Sequence, residues 1–209
     1  MADKKLNIGL TGCGHLGKIH TRLISEIAKT DPRITFKGIF DVDSETASSV
    51  SSDYKVKAYS SLEELLGKID TLIIVTPTST HFEIAGKALD KNINVFIEKP
   101  VTSSLNEAES LIKQAEGKSV KIQVGHVERF NPALVALEKF EMKPMFIESH
   151  RLAQFNPRGT DVSVIQDLMI HDIDIILHLA KSPVKKIDAN GVAVISEEID
   201  IANARLTLE

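Results

Sequence analysis

A glycine-rich segment near the N-terminus constrains the fold of this 209-residue chain more than any other feature. It has the pattern G-x-G-x-x-G, follows a strand-like segment at 6–10 and opens a helix predicted over 16–28. In a dinucleotide-binding βαβ unit, the first glycine permits a tight turn, the second lets a pyrophosphate approach the backbone, and the third lets the helix pack closely. The alternative is a tight turn that binds nothing. The candidate cofactor-binding residues in this segment are Gly12, Cys13, Gly14, His15, Leu16 and Gly17.

Alternating strand-like and helix-like segments continue through residue 124 and predict an α/β fold. Capping boxes at Ser61/Glu64 and Ser104/Glu107 mark the starts of two helices. The pattern predicts a doubly wound Rossmann domain with a parallel sheet over residues 1–124. Its predicted strands are 6–10, 34–40, 71–75, 94–97 and 120–124, and the predicted helices after the first are a short one from 61, 80–89 and 104–115.

The pattern changes after residue 125. Helices are predicted over 131–140 and 164–180, and strands over 145–152, 184–195 and 199–208. We interpret residues 125–209 as an α+β substrate or catalytic domain with a mostly antiparallel sheet, truncated because the sheet is still forming where the sequence stops. A sheet with an open face or edge is normally covered, so we expect a homo-oligomer.

Charge and cysteine content narrow the classes of protein. The net charge of −4 gives no general reason to bind nucleic acid or an acidic membrane. Cys13 is the only cysteine, so no disulfide can form within the chain, which is typical of a reducing compartment. No signal-peptide segment or membrane-length apolar run is present, and we expect a cytoplasmic protein.

Asp41 ends the second predicted strand, 24 residues after Gly17. A carboxylate there can accept hydrogen bonds from the adenosine ribose and would repel the 2′-phosphate of NADP. Asp43 competes for this role but lies further around the turn. The predicted cofactor is therefore NAD.

Glu98-Lys99-Pro100 ends the strand predicted at 94–97. Doubly wound sheets bind their ligands at such strand ends. The ammonium of Lys99 can donate a hydrogen bond to a reacting hydroxyl and stabilise negative charge on its oxygen. A solvated loop lysine is the alternative.

A second group of ionisable residues lies on the apolar helix predicted over 164–180. Asp167, His171 and Asp174 are spaced i, i+4 and i+7, which places them on one face of an α-helix. His171 has a reference pKa suited to proton transfer near neutrality, and Asp167 can orient it. A buried hydrogen-bonded network is one alternative; a metal site is another, but no histidine pair or further cysteine supports it.

Together these motifs resemble the Gfo/Idh/MocA family, which includes glucose–fructose oxidoreductase and inositol dehydrogenase. The resemblance covers nearly the whole chain and includes Thr76-Pro77 with His81 and Ala85. It implies that Lys99, Asp167 and His171 are catalytic. It also implies that the nicotinamide end of the cofactor is approached by Thr76, Pro77, His81, Glu98 and Lys99. A purely structural role for His81 stays open.

Residues 124–132 resemble the branch that contains UDP-N-acetylglucosamine 3-dehydrogenases. This implies a nucleotide-sugar substrate, with Arg129 or Arg158 binding a phosphate, although either arginine can instead be a surface charge. Asp174 is a third candidate substrate-binding residue. One departure is Met169, where the family usually has glycine in the Asp-x-Gly-x-His form.

The sequence thus predicts an NAD-dependent oxidoreductase that transfers a hydride between a nicotinamide cofactor and a sugar hydroxyl or ketone. The 3-position of UDP-N-acetylglucosamine is the favoured example. Two alternatives stay open. One is a regulatory protein that senses NAD(H) or a sugar, and the other is an NADPH-linked reductase of a different carbonyl compound.

Overall fold

The computed structural model describes residues 5–153 and 162–209. The chain divides into two compact units, residues 1–125 and 126–209, and the predicted boundary lies one residue earlier. Unit 1 contains strands β1 (Leu6–Thr11), β2 (Ile34–Phe40), β3 (Thr71–Ile74), β4 (Asn94–Ile97) and β5 (Ile122–Val124), and helices α1 (His15–Thr30), α2 (Ser44–Tyr54), α3 (Leu62–Leu66), α4 (His81–Asp90) and α5 (Leu105–Ala115).

The five strands of unit 1 form one parallel sheet in the order β2-β1-β3-β4-β5. The chain passes from β1 to β2 on one side and then returns to β3 on the other side of β1. The gap between the carboxyl ends of β1 and β3 is therefore the topological switch point, where open α/β sheets bind ligands. The predicted doubly wound parallel sheet is confirmed.

Both faces of this sheet are covered by helices. Within β3, Leu72 and Ile74 belong to a core with residues of α3, α4 and α5, whereas Ile73 packs against a core with Ile24 of α1 and Val50 of α2. Successive strand residues point to opposite faces, so these two cores lie on opposite sides of the sheet. This explains the nearly unbroken apolar sequence of the strand.

Unit 2 contains a two-stranded antiparallel sheet and short helices. Its elements are a 3₁₀ turn (Val127–Phe130), α6 (Pro132–Leu137), a π-helical turn (Ile165–Met169), α7 (Ile170–Ala180), β6 (Val184–Val192) and β7 (Ile201–Leu208). The predicted antiparallel sheet is confirmed, but the strand predicted over 145–152 is wrong. Those residues have no ladder partner among the described residues, and an extended segment becomes a strand only when another strand pairs with it.

Candidate active site

Two glycines of the first loop are required by the fold itself. Gly12 has a φ of +93°, and a Cβ there would lie 2.4 Å from the carbonyl oxygen of Val75. A Cβ on Gly17 would lie 1.9 Å from the carbonyl oxygen of Gly12. Any side chain at either position would overlap backbone atoms, so these glycines hold the loop between the carboxyl ends of β1 and β3.

The middle glycine has no such packing role. A Cβ on Gly14 would meet nothing within 4 Å, and its φ of −65° and ψ of −162° are close to extended values that other residues adopt. Gly14 is the N-cap of α1, and the first N–H groups of a helix have no carbonyl partner within it. An open, side-chain-free N-terminus fits a pyrophosphate, because it offers both donors and the positive end of the helix dipole.

Asp41 is hydrogen-bonded to the backbone of this loop. One carboxylate oxygen, Oδ2, accepts the backbone N–H of Cys13 at 2.6 Å, and Oδ1 accepts that of Asp43 at 2.9 Å. Asp43 instead caps α2, accepting the N–H of Glu45 at 3.0 Å and the hydroxyl of Thr46 at 2.6 Å. Of the two competing aspartates, Asp41 is therefore the one fixed beside the glycine loop, and its oxygens have lone pairs left for ribose hydroxyls.

The remaining residues of the glycine loop differ in how exposed their side chains are. Cys13 is fully buried, and burial together with the nearby Asp41 carboxylate raises the pKa of its thiol to about 12. Because its N–H is bonded to Asp41, Cys13 contributes to the loop's shape and has no N–H to offer a phosphate. His15 and Leu16 are exposed in the first turn of α1.

His81 joins the loop after β3 to the loop after β4. The ring is 1% exposed, with Nδ1 lying 3.0 Å from the carbonyl oxygen of Pro100 and Nε2 lying 2.9 Å from that of Thr76. Thr76 also accepts the hydroxyl of Thr80 at 2.7 Å, while Pro77 is exposed. This geometry favours the structural interpretation of His81, which acts on the strand ends through two carbonyl groups.

Lys99 follows β4 at the same edge of the sheet and is half-buried, with a cis bond to Pro100. Glu98 beside it is 7% exposed. Its Oε1 lies 2.8 Å from Nε2 of His20, and its Oε2 accepts the N–H of Lys99 at 3.3 Å. Glu98 is therefore an internal group whose oxygens are bonded within the protein.

In unit 2, the predicted helix carrying Asp167 and His171 begins differently from an ordinary α-helix. Asp167 lies in the π-helical turn and His171 in the first turn of α7. The spacing i, i+4 and i+7 places three residues on one face only where the helix is α-helical throughout, and here α-helical geometry begins at Ile170. π-Helical turns within helices occur frequently at functional sites. Here the change from π-helical to α-helical geometry falls between Asp167 and His171, the two residues proposed to act together.

Asp174 and Arg129 pair with each other. The Asp174 carboxylate accepts two hydrogen bonds from the Arg129 guanidinium, of which Nε to Oδ2 is 2.7 Å, and His126 Nδ1 lies 3.8 Å from Oδ1. Burial alone would raise the pKa of Asp174, but the bonds from Arg129 hold it below its usual value. Two of the three predicted substrate-binding residues thus contact each other inside unit 2. Arg158 lies outside the described residues.

Sequence reasoning missed two polar contacts. His20 on α1 was not singled out, although it is a titratable residue on the helix that follows the glycine loop. Asp172 was passed over too, yet it accepts the Arg151 guanidinium at 2.7 Å and the Ser149 hydroxyl at 2.9 Å. Both partners are distant in sequence, and no local spacing reveals such pairs.

Two features of the described residues bear on the type of site. Across residues 5–153 and 162–209, no cluster of three or more His, Cys, Asp or Glu side chains is arranged to hold a metal ion. Within the same part of the chain, no helix has the length and apolar character needed to cross a membrane.

Comparison with known proteins extends this description. Residues 6–126 match the Gfo/Idh/MocA family, described as "Oxidoreductase family, NAD-binding Rossmann fold". The chain is 37% identical over 204 residues to a UDP-N-acetylglucosamine 3-dehydrogenase from Acidithiobacillus ferrooxidans, covering 97% of this chain and 63% of that protein.

Solved structures agree with the sequence relatives. A crystal form of the Acidithiobacillus ferrooxidans dehydrogenase has a TM-score of 0.90 at 36% identity, covering 98% of this chain and 66% of that one. An NAD-binding protein from Listeria innocua has a TM-score of 0.81 at 25% identity, with coverages of 99% and 64%. The chain thus spans about two thirds of the length of its relatives. It belongs to the Gfo/Idh/MocA family of oxidoreductases, and its unit 1 has that family's NAD-binding Rossmann fold.

Proposed function

We propose that the protein catalyses NAD-dependent, reversible hydride transfer between a sugar hydroxyl and the corresponding ketone. The observation that carries the proposal is the carboxyl edge of the parallel sheet. There, an open helix N-terminus at Gly14, the carboxylate of Asp41 and the amine-bearing Lys99 follow β1, β2 and β4. When bound, NAD supplies the acceptor for the hydride. The chain's own residues hold the cofactor and move the proton.

The proton chemistry is divided between two residue types. In sugar oxidation, His171 takes the hydroxyl proton and Lys99 stabilises the charge that develops on the same oxygen. Asp167 keeps the imidazole in a productive orientation. The alternative assignment makes Lys99 the base. Lys99 belongs to unit 1 and the other two residues to unit 2, so their meeting at one substrate is part of the proposal.

A nucleotide sugar is the proposed substrate class, with the 3-hydroxyl of UDP-N-acetylglucosamine as the first compound to test. The name of the 37%-identical relative and the similarity of residues 124–132 support this choice. We also propose that the protein prefers NAD over NADP, because the carboxylate of Asp41 would repel a ribose 2′-phosphate.

The test compares Lys99→Ala and His171→Ala with two matched controls, Lys91→Ala and His150→Ala. Lys91 and His150 are exposed. A positioned acid or base contributes roughly 10²–10⁴-fold to the rate, so the first two variants should lose turnover on that scale while NADH binding persists. Near-normal turnover in both would contradict the catalytic assignment. An unaltered protein that binds NADH and sugar without turnover would instead favour a sensor.

A further inference from the structure

A largely buried histidine–carboxylate pair connects α1 to the strand end that carries Lys99. The side chains of His20 and Glu98 are 17% and 9% exposed, and Nε2 and Oε1 lie 2.8 Å apart. The second oxygen of Glu98 accepts the backbone N–H of Lys99 at 3.3 Å. One carboxylate therefore bridges an imidazole and the backbone of the proposed catalytic lysine.

The surroundings leave this carboxylate little freedom. A Cβ on Gly125 would lie 3.0 Å from Cδ and both oxygens of Glu98, so the absent side chain makes room for the carboxylate. Gly125 is itself fixed, because its N–H bonds to the carbonyl oxygen of Ile97 at 2.8 Å. On the other side, the His20 ring packs at a tilt against Phe96, with ring centroids 5.9 Å apart.

A contribution to folding stability does not by itself explain why a buried His20–Glu98 pair is present. Desolvation of buried charged or polar partners costs about as much as their attraction returns, and apolar replacements of similar volume are often neutral or stabilising. A position between α1 and Lys99 suggests a different role. Reacting groups must be held within about 0.5 Å of their productive geometry by neighbours that are themselves fixed.

We propose that His20 is a positioning residue for the hydride-transfer reaction. Through Glu98 it fixes the backbone of Lys99, and thereby the place of the Lys99 amine at the carboxyl edge of the sheet. This inference rests on the proposed function, because it gives His20 a part in the same reaction. It assigns no contact between His20 and substrate.

The principal variants are His20→Leu and His20→Gln. Leucine removes the donor to Glu98, whereas the glutamine amide can still donate. A displacement of about 1 Å can cost roughly 100-fold in rate, so His20→Leu should lose about 10–100-fold in kcat. Its KM and NADH affinity should stay near those of the parent protein. His20→Gln should recover most of the lost kcat, which a general loss of stability would not allow.

A neighbouring control tests whether any change on α1 has the same effect. Arg22 lies two residues further along the helix, is exposed, and pairs with Glu26 at i,i+4 with a distance of 3.3 Å. Arg22→Gln should leave kcat unchanged. If His20→Leu fails to fold because Glu98 is left charged and buried, the double variant His20→Leu/Glu98→Gln removes that charge. The double variant should fold and show the same loss in kcat.

A readout independent of turnover separates the two proposals. The rate at which an amine reagent modifies Lys99, followed by mass spectrometry, should rise in His20→Leu and in the double variant, while modification of Lys91 stays constant. Parent-like kcat and Lys99 modification in these variants would overturn the positioning role while leaving the proposed function intact. A parent protein without turnover removes the proposed function and, with it, the positioning role, even if the Lys99 modification rate still depends on His20.

Discussion

The three glycines of the first loop should respond differently to the same substitution, because only two of them are required by packing. In Gly14→Ala the new methyl group meets no atom within 4 Å. Replacing glycine by alanine at a compatible position stabilises a protein by about 0.4–1 kcal/mol, but Gly14 is the N-cap of α1, and alanine is a poorer N-cap than glycine at a cost of the same order. The two effects offset each other, so the Tm of Gly14→Ala should stay within about 4 °C of the parent value. The same methyl group occupies the space that a pyrophosphate needs.

Gly17→Ala should instead destabilise the fold. Its methyl group would lie 1.9 Å from a backbone oxygen, well inside van der Waals contact, so the backbone itself would have to shift. Overpacking costs about 1–3 kcal/mol, and a backbone overlap belongs at or above the upper end. A loss of about 3 kcal/mol would lower Tm by about 6–12 °C.

Thermal unfolding measures the Tm of each variant. Titration with NADH, followed by the fluorescence of NADH, measures cofactor affinity. Gly14→Ala should keep its fold and lose at least about tenfold in NADH affinity, equivalent to roughly 1.4 kcal/mol. Gly86→Ala is the matched control, because Gly86 lies in α4 with only ordinary contacts. If a stable Gly14→Ala variant binds NADH as tightly as the parent protein, the loop is a structural turn and the cofactor assignment at Gly14 is wrong.

Three further predictions follow from the same structure. Asp41→Ser should narrow the preference for NADH over NADPH, measured by paired titrations, and equal affinities in the parent protein would refute the role of Asp41. The Cys13 thiol, with its pKa raised to about 12, should resist thiolate-specific reagents at pH 8 until the protein unfolds; rapid labelling of the native protein would contradict its burial. Light scattering at micromolar concentration should detect a homo-oligomer, since β6 exposes apolar residues such as Ile187 at 63%; a monomer would count against it.

Much of unit 1 can be predicted because local signals and burial agree there. The strands 34–40 and 94–97 have the predicted ends, and the Ser104/Glu107 capping box is present. Helix α2 was not predicted, because its serine-rich sequence buries only Ala47 and Val50 and has almost no apolar periodicity. Its start is set by the Asp43 cap, which sequence reasoning had considered only as a competing ribose ligand.

Unit 2 was harder to predict because its sequence signals depend on long-range partners. The apolar run Met145-Phe146-Ile147 at the start of 145–152 is compatible with a strand, but the ladder that would make it one is not formed in the described residues. Likewise, no α-helical spacing reveals that a π-helical turn precedes α7. For the same reason, no local signal in the sequence indicates the bidentate bond of Arg129 to Asp174, 45 positions away.

The candidate site shows what a sheet can and cannot position by itself. Parallel pairing places the ends of β1, β3 and β4 at one edge, and the alternation of strands and helices in the sequence predicts such a parallel sheet. The loops beyond those ends are set by polar contacts between distant residues: His81 joins the loops after β3 and β4, and His20 joins α1 to Glu98. Because such contacts fix the backbone on either side of Lys99, substitutions at these buried histidines should alter kcat more than cofactor affinity.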